Sequence, residues 1–203
     1  MYKRQNPTFT ANAAGNYTVT LSDTANCSFT SAPATVVVNP LPTVTISASG
    51  NTTVCQGSAV NLNAGSGTSY ASYQWNLNGA PIAAATTATF AATSTGSYSL
   101  TVTDANGCSA TSNTVSVTIR ELPVATITGN SAICQGGSTI LSANTGTGRT
   151  YQWKRNNVNI IGATTANYTA ITAGTYTVTV TSNTCSATSN AITVTVNNLP
   201  TVS

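Results

Sequence analysis

Apolar and polar residues alternate along most of the chain, and the alternation returns in register. Downstream of Cys27, Cys108 and Cys185, apolar residues fall at +7, +9 and +11 and the leucine of a Leu-Pro pair falls at +14. The three sets are Ala34, Val36, Val38 and Leu41; Val115, Val117, Ile119 and Leu122; and Ile192, Val194, Val196 and Leu199. Successive side chains of a strand point to opposite faces, so a period of two predicts a strand with one face buried. Upstream of each cysteine, Gly-x-Tyr-x-apolar-x-apolar predicts a second strand: Gly15, Tyr17, Val19, Leu21; Gly96, Tyr98, Leu100, Val102; and Gly174, Tyr176, Val178, Val180. A turn such as Asp104-Ala105-Asn106-Gly107 joins the pair, and its Asn-Gly predicts a tight hairpin. Further strands are predicted over 43–47, 59–64, 73–77 and 87–91, with equivalents one period later. No stretch carries a helical period.

The landmarks fix the size of the unit. Leu41-Pro42, Leu122-Pro123 and Leu199-Pro200 are spaced by 81 and 77 residues, as are Cys27, Cys108 and Cys185. Cys55 and Cys134 lie 79 apart, and Trp75 and Trp153 lie 78 apart. Seven or so short strands per unit predict an all-β chain of tandem antiparallel sandwiches. The expected organisation is the C-terminal part of a truncated repeat at 6–40, complete repeats at 41–121 and 122–198, and the start of a further one at 199–203. Residues 6–40 supply about three strands, too few to cover both faces of a sandwich. That portion is expected to be marginal, leaning on the next repeat or fraying. Residues 1–5, Met-Tyr-Lys-Arg-Gln, lack the apolar stretch of a signal peptide. They are read as a sequencing scar, because the end of a common transposase adaptor translates to this pentapeptide.

Composition narrows the chemistry. Of 203 residues, 6 are Lys or Arg and 3 are Asp or Glu, histidine is absent, and 41 are threonine. Without histidine no Ser-His-Asp or Cys-His arrangement can be built, and Asp23, Asp104 and Glu121 lie far apart in sequence. No catalytic residue and no cofactor is expected. A net charge of +3, falling to +1 without Lys3 and Arg4, cannot supply the clustered cationic face that nucleic acid requires. The longest aliphatic run, Val36 to Val38, is far short of a membrane span. The chain is nevertheless 40% hydrophobic and rich in Val, Ile and Thr, which sets it apart from a disordered sequence.

The pattern resembles the immunoglobulin fold over essentially the whole chain. Gly57-x-x-Val60-x-Leu62-x-Ala64 is similar to its second strand, Tyr73-Gln74-Trp75-Asn76-Leu77-Asn78-Gly79 to its third with the core tryptophan, and Gly96-x-Tyr98 to its tyrosine corner. The second repeat carries Tyr151-Gln152-Trp153, Asn156-Asn157 and Gly174-x-Tyr176. More narrowly, Val54-Cys55-Gln56-Gly57-Ser58, Ile133-Cys134-Gln135-Gly136-Gly137 and Asn106-Gly107-Cys108-Ser109-Ala110-Thr111 resemble the Ig-like repeats of large secreted surface proteins of the Bacteroidota, adhesin-like and associated with gliding and type IX secretion. That resemblance implies export, a cell-surface setting, a stalk or adhesive role, and neighbouring repeats of the same chain as partners. The sequence departs from antibody-type domains where the inter-sheet cysteines would stand: Ala64 and Leu100, and Ala143 and Val178, occupy those places. Trp75 and Trp153 are therefore expected to pack on an aliphatic core.

The five cysteines admit two pairings. No Cys-x-x-Cys and no histidine is present, so zinc spacing is not met and no metal is expected. One bridge per repeat, Cys55–Cys108 and Cys134–Cys185, leaves only Cys27 unpartnered. Strand direction, however, sets Cys55 and Cys108 at opposite poles of one sandwich. In a head-to-tail array Cys55–Cys185 would staple repeat to repeat and leave Cys27, Cys108 and Cys134 for other neighbours. Either bridge requires an oxidising compartment.

Trp75 and Trp153 are read as core rather than sugar platforms, because both hold the same place in successive repeats. Tyr17, Tyr98 and Tyr176 are read as corner tyrosines. Tyr70 has no counterpart in the second repeat and is the candidate surface contact for a glycan or protein ligand. Asp23 and Asp104 are read as turn residues rather than calcium ligands. Arg149, Lys154 and Arg155 form the one local basic cluster, read as a solvated edge. The Asn-x-Ser/Thr triplets at Asn16, Asn26, Asn51 and Asn167 carry no assignment. A carbohydrate- or protein-binding module and a spacer within an exported enzyme stand as alternatives to the stalk.

Overall fold

The computed structural model describes residues 8–65 and 69–200; the candidate scar at 1–5 lies outside them. Strand is the only regular element there. Near the N-terminus, β1 (Gly15–Tyr17) pairs with β4 (Ala34–Val36), and β2 (Thr20–Ser22) pairs with β3 (Ser28–Thr30). The first sandwich runs through β5 (Ile46–Ala48), β6 (Thr53–Cys55), β7 (Val60–Ala64), β8 (Ser72–Leu77), β9 (Ala80–Pro81), β10 (Thr89–Ala92), β11 (Gly96–Thr103), β12 (Ser109–Thr111) and β13 (Val115–Arg120). The second repeats it as β14 (Ile127–Thr128), β15 (Ala132–Cys134), β16 (Thr139–Ala143), β17 (Arg149–Arg155), β18 (Val158–Asn159), β19 (Asn167–Ala170), β20 (Gly174–Ser182), β21 (Cys185–Thr188) and β22 (Ile192–Asn197).

Each sandwich faces a three-stranded sheet, β10-β7-β5 or β19-β16-β14, with a larger one, β6-β13-β11-β8-β9 or β15-β22-β20-β17-β18. That order, antiparallel except where β6 runs parallel to β13 and β15 to β22, is immunoglobulin-like. Alternation does the sorting. Ile46, Val60, Leu62 and Ala92 point inward from one sheet, and Trp75, Tyr98, Leu100, Val102 and Val117 from the other. Ile127, Leu141, Ala143 and Ala170 face Trp153, Tyr176, Val178, Val180 and Val194 in the second core. Outward positions are bridged by hydroxyls across strands, as in Thr101–Thr111, Thr103–Ser109, Thr179–Thr188 and Thr181–Ser186. A surface polar by hydroxyl explains how so few ions keep the chain hydrated.

Both tryptophans are fully buried, and each indole N–H donates to a carbonyl, Trp75 to Thr87 at 2.8 Å and Trp153 to Thr165 at 2.9 Å. The expectation of a purely aliphatic surround is corrected. Phe90 lies between Trp75 and Tyr98 with ring centroids 5.8 and 5.9 Å away, and Tyr168 lies between Trp153 and Tyr176 at 5.8 and 5.7 Å. Aliphatic side chains do replace the inter-sheet cystine: Leu100 pairs in register with Trp75, and Val178 with Trp153. The corner tyrosines each donate to the carbonyl four residues upstream, Tyr17 to Ala13, Tyr98 to Ser94 and Tyr176 to Thr172, at 3.0, 2.8 and 2.9 Å. The glycine two residues before Tyr98 sits close against the neighbouring strand, where a Cβ on Gly96 would stand 2.4 Å from Leu77 Cδ1 and push that side chain aside.

The long strand after each cysteine is broken by a bulge. Thr101↔Thr111 and Tyr98↔Val115 differ by one residue in register, and Thr179↔Thr188 and Tyr176↔Ile192 differ in the same way. A serine fills the gap: Ser112 exchanges bonds with Leu100, its backbone N–H to the carbonyl and its Oγ from the Leu100 N–H, and Ser189 does the same with Val178. The next residue ties the bulge to the opposite sheet. Asn113 accepts from the Ile46 N–H and donates to its carbonyl, and Asn190 accepts from the Ile127 N–H.

Residues 8–40 form hairpin pieces in which no side chain is buried. Tyr17, Val19, Ala34 and Val36 line an open cleft there of ≈ 490 Å³ together with Phe9.

Candidate functional site

The chemistry-bearing side chains the fold brings together lie where one sandwich meets the next. Cys55 ends β6, which lies parallel to β13 with Cys55 opposite Arg120, and the Gln56 N–H donates to the Arg120 carbonyl. Thr-Val-Cys is too short to show periodicity, so the strand escaped sequence reading although its cysteine did not. From the second sandwich comes the β20–β21 hairpin, in which Ser182 pairs with Cys185 and only Asn183 and Thr184 form the loop. Both loop residues have positive φ, 49° and 72°, the signature of a tight type I′ turn. That turn carries Cys185 to Cys55. They are joined by a disulfide with Cα atoms 5.6 Å apart, and the Arg120 guanidinium donates to the Asn183 carbonyl at 2.8 Å beside it. Cys185 is buried.

Of the two pairings open from sequence, the structure holds the one between repeats. Cys108 immediately precedes β12, at the far end of the chain segment that finishes at Arg120, so Cys55 and Cys108 occupy opposite poles. Cys27, Cys108 and Cys134 are free thiols; Cys27 and Cys134 are exposed and Cys108 is half-buried.

The turns bearing Cys27 and Cys108 differ from the stapling one. The Asp104 carboxylate accepts the N–H groups of Asn106 and Cys108, and Asp23 those of Ala25 and Cys27. Asp104 and Cys108 also bond through the backbone, leaving a three-residue loop whose last residue, Gly107, has φ 80°. The hairpin expected at Asp104-Ala105-Asn106-Gly107 is present, with a three-residue loop that the aspartate's two amide bonds select. Tight Asn-Gly geometry occurs at Asn78-Gly79 (φ 52° and 82°) and Asn156-Asn157 (51° and 65°).

Tyr70 is not a surface contact. It is buried, meets Tyr73 edge-on with centroids 5.7 Å apart, and donates its hydroxyl to the Thr43 carbonyl, closing the end of the first core. In the second sandwich Asn144 does this work, bonding the Val124 carbonyl and the Thr126 N–H, so no counterpart of Tyr70 is needed. The basic cluster also separates. Arg149 and Arg155 stand at the two ends of β17, Arg149 against the Val124 and Asn144 carbonyls and Arg155 against Thr172. An open groove beside Arg155 is lined by Val158, Asn159, Ile160, Ile161 and Tyr168. No group of three or more His, Cys, Asp or Glu side chains able to hold a metal exists among the described residues, and no helix there is long and apolar enough to cross a membrane.

Fold and junction thus define a pair of immunoglobulin-like β-sandwiches joined by a disulfide. The family model described as "Domain of unknown function (DUF8696)" matches residues 124–198. No curated protein matches the chain. Among solved structures, murine CEACAM1b is similar at 18% identity and TM-score 0.38, with 76% of this chain and 100% of that one covered. A complex of a mouse coronavirus receptor-binding domain with its murine receptor gives 16%, 0.41, 76% and 100%. Fibronectin(III)-like modules of Clostridium thermocellum CbhA give 12%, 0.41, 74% and 92%. The fold assignment rests on the strand order of the chain itself.

Proposed function

We propose that the chain is a non-catalytic structural segment, a stalk or adhesive spacer of an exported cell-surface protein, in which successive sandwiches are locked end to end. The observation that carries this reading is the Cys55–Cys185 disulfide, a covalent bond between two modules that each have a core of their own. A bond inside one module would stabilise that module; a bond between modules restricts bending, and Leu122-Pro123 in the connecting segment limits it further, because proline fixes φ. A disulfide is compatible with an oxidising compartment, and the hydroxyl-bridged surface suits a part exposed along its length. The finer assignment, to the repeat arrays of Bacteroidota surface proteins, rests on the cysteine and turn motifs alone. Spin labels placed on Thr118 of the first sandwich and Thr193 of the second test the mechanical role. The distance distribution is narrow in the oxidised chain and broadens on reduction. An equally broad distribution in both states removes the spacer reading, and saturable binding of a glycan by the chain favours the binding module.

A further inference from the structure

The backbone frame that holds Cys55 recurs on the second sandwich, with Asn197 where Arg120 stands. Cys134 ends β15, which lies parallel to β22 with Cys134 opposite Asn197, as Cys55 lies opposite Arg120. The Gln135 N–H donates to the Asn197 carbonyl at 2.8 Å, as the Gln56 N–H does to Arg120 at 2.7 Å. The Cys134 carbonyl accepts from the Gly137 N–H, as the Cys55 carbonyl does from Ser58. Cys134 is exposed and free. A turn cysteine for the complementary half is also present, on a longer, Asp23-bonded loop than the two-residue turn before Cys185. Cys27 follows the β2–β3 turn as Cys185 follows the β20–β21 turn, and it too is exposed and free. Cys108 holds the corresponding place in the first sandwich but is half-buried.

From this we infer that Cys134 is an interaction site for the turn cysteine of another module of this kind, and that a second copy of this chain supplies it through Cys27. Resting on the stapled-spacer reading, the inference extends it from a junction within one chain to a head-to-tail contact between chains. Because the two halves are different surfaces, the contact is heterologous and propagates instead of closing on a pair. The bond forms by thiol–disulfide exchange. The Cys134 thiolate attacks a disulfide oxidant such as oxidised glutathione and releases one glutathione thiol. The Cys27 thiolate of the second copy then displaces the second glutathione from the mixed disulfide. The two protein thiols lose two protons and two electrons, and the oxidant's disulfide takes them up as two thiols.

The test incubates the full chain in an oxidised/reduced glutathione buffer and follows it by non-reducing electrophoresis and peptide mapping. The expected result is a ladder of dimers, trimers and longer species linked through Cys134–Cys27. Either Cys134→Ser or Cys27→Ser removes the ladder, and Cys108→Ser leaves it unchanged. The inference is overturned by Cys134–Cys134 or Cys27–Cys27 as the main link, by a ladder that survives Cys27→Ser, or by chains that stay monomeric. The same maps report Cys55–Cys185. Its absence defeats the spacer reading, whereas its presence without Cys134–Cys27 defeats only this inference.

Discussion

Replacing Cys55 by serine changes a residue of the first sandwich, yet its effect is expected to reach the second as well. With the first sandwich folded, the disulfide closes a loop that begins at its edge and returns at Cys185, so unfolding the second sandwich leaves a tethered segment of about 65 residues. Loop-closure entropy for that length contributes about 4 kcal/mol. Counting the full separation of 130 residues raises it only to about 5 kcal/mol, since the dependence is logarithmic. Hydrogen exchange with mass-spectrometric readout separates the two sandwiches. In Cys55→Ser, the amides of β20 and β22 lose protection by roughly a thousandfold, about 4 kcal/mol at 1.4 kcal/mol per decade. Cys185 left as a thiol still packs as a small apolar side chain, so the loss reflects the tether and not a hole. Unchanged protection in β20 and β22, with loss confined to β11 and β13, would refute the reasoning, because that pattern belongs to a bond within the first sandwich.

Three further outcomes follow from particular contacts. Thr184→Gly raises the thermal midpoint of the oxidised chain, because a β-branched residue at φ 72° carries about 1–2 kcal/mol of strain that glycine does not. Asn113→Ala removes both bonds to Ile46 and costs about 1–2 kcal/mol in denaturant unfolding of the first sandwich. Burial holds the Tyr98 phenol above the ordinary tyrosine value of 10.0. The unfolded chain therefore ionises first, and stability fully present below pH 10 is lost as pH rises through the folded value. Tyr98→Phe flattens that alkaline limb while costing about 1 kcal/mol at neutral pH.

Much of this architecture is legible in the sequence because each strong landmark recurs. Val115, Val117 and Ile119 and their equivalents announce one face of a strand, and Gly96-x-Tyr98 announces the corner, with no tertiary knowledge needed. What stayed hidden is short or singular. β6 and β15 have three residues each, too few for a period, and their parallel partners are far away in sequence. Phe90 and Tyr168 lie 78 residues apart, the spacing of the tryptophans they stack against, so the repeat itself held that clue. The bulge serines and asparagines were visible in the same way, since Cys108-Ser109-Ala110-Thr111-Ser112-Asn113 returns as Cys185-Ser186-Ala187-Thr188-Ser189-Asn190. Tyr70 misled because it occurs once. Its role depends on Thr43, brought near only by folding, and the second sandwich solves the same problem with a different residue. For the junction, pole geometry pointed to Cys55–Cys185, but the tight turn that presents Cys185 could not be inferred from the longer loops at Cys27 and Cys108.

The scarcity of charge supplies the most direct test of the staple. Cleavage after Arg120, Arg149, Lys154 and Arg155 by trypsin, on the unfolded and unreduced chain, leaves Cys27, Cys55 and Cys108 on a fragment ending at Arg120, Cys134 on 121–149, and Cys185 on 156–203. A bond between sandwiches joins the fragment ending at Arg120 to 156–203 and leaves 121–149 free. Recovery of 121–149 joined to 156–203, with the first fragment alone, would contradict the account.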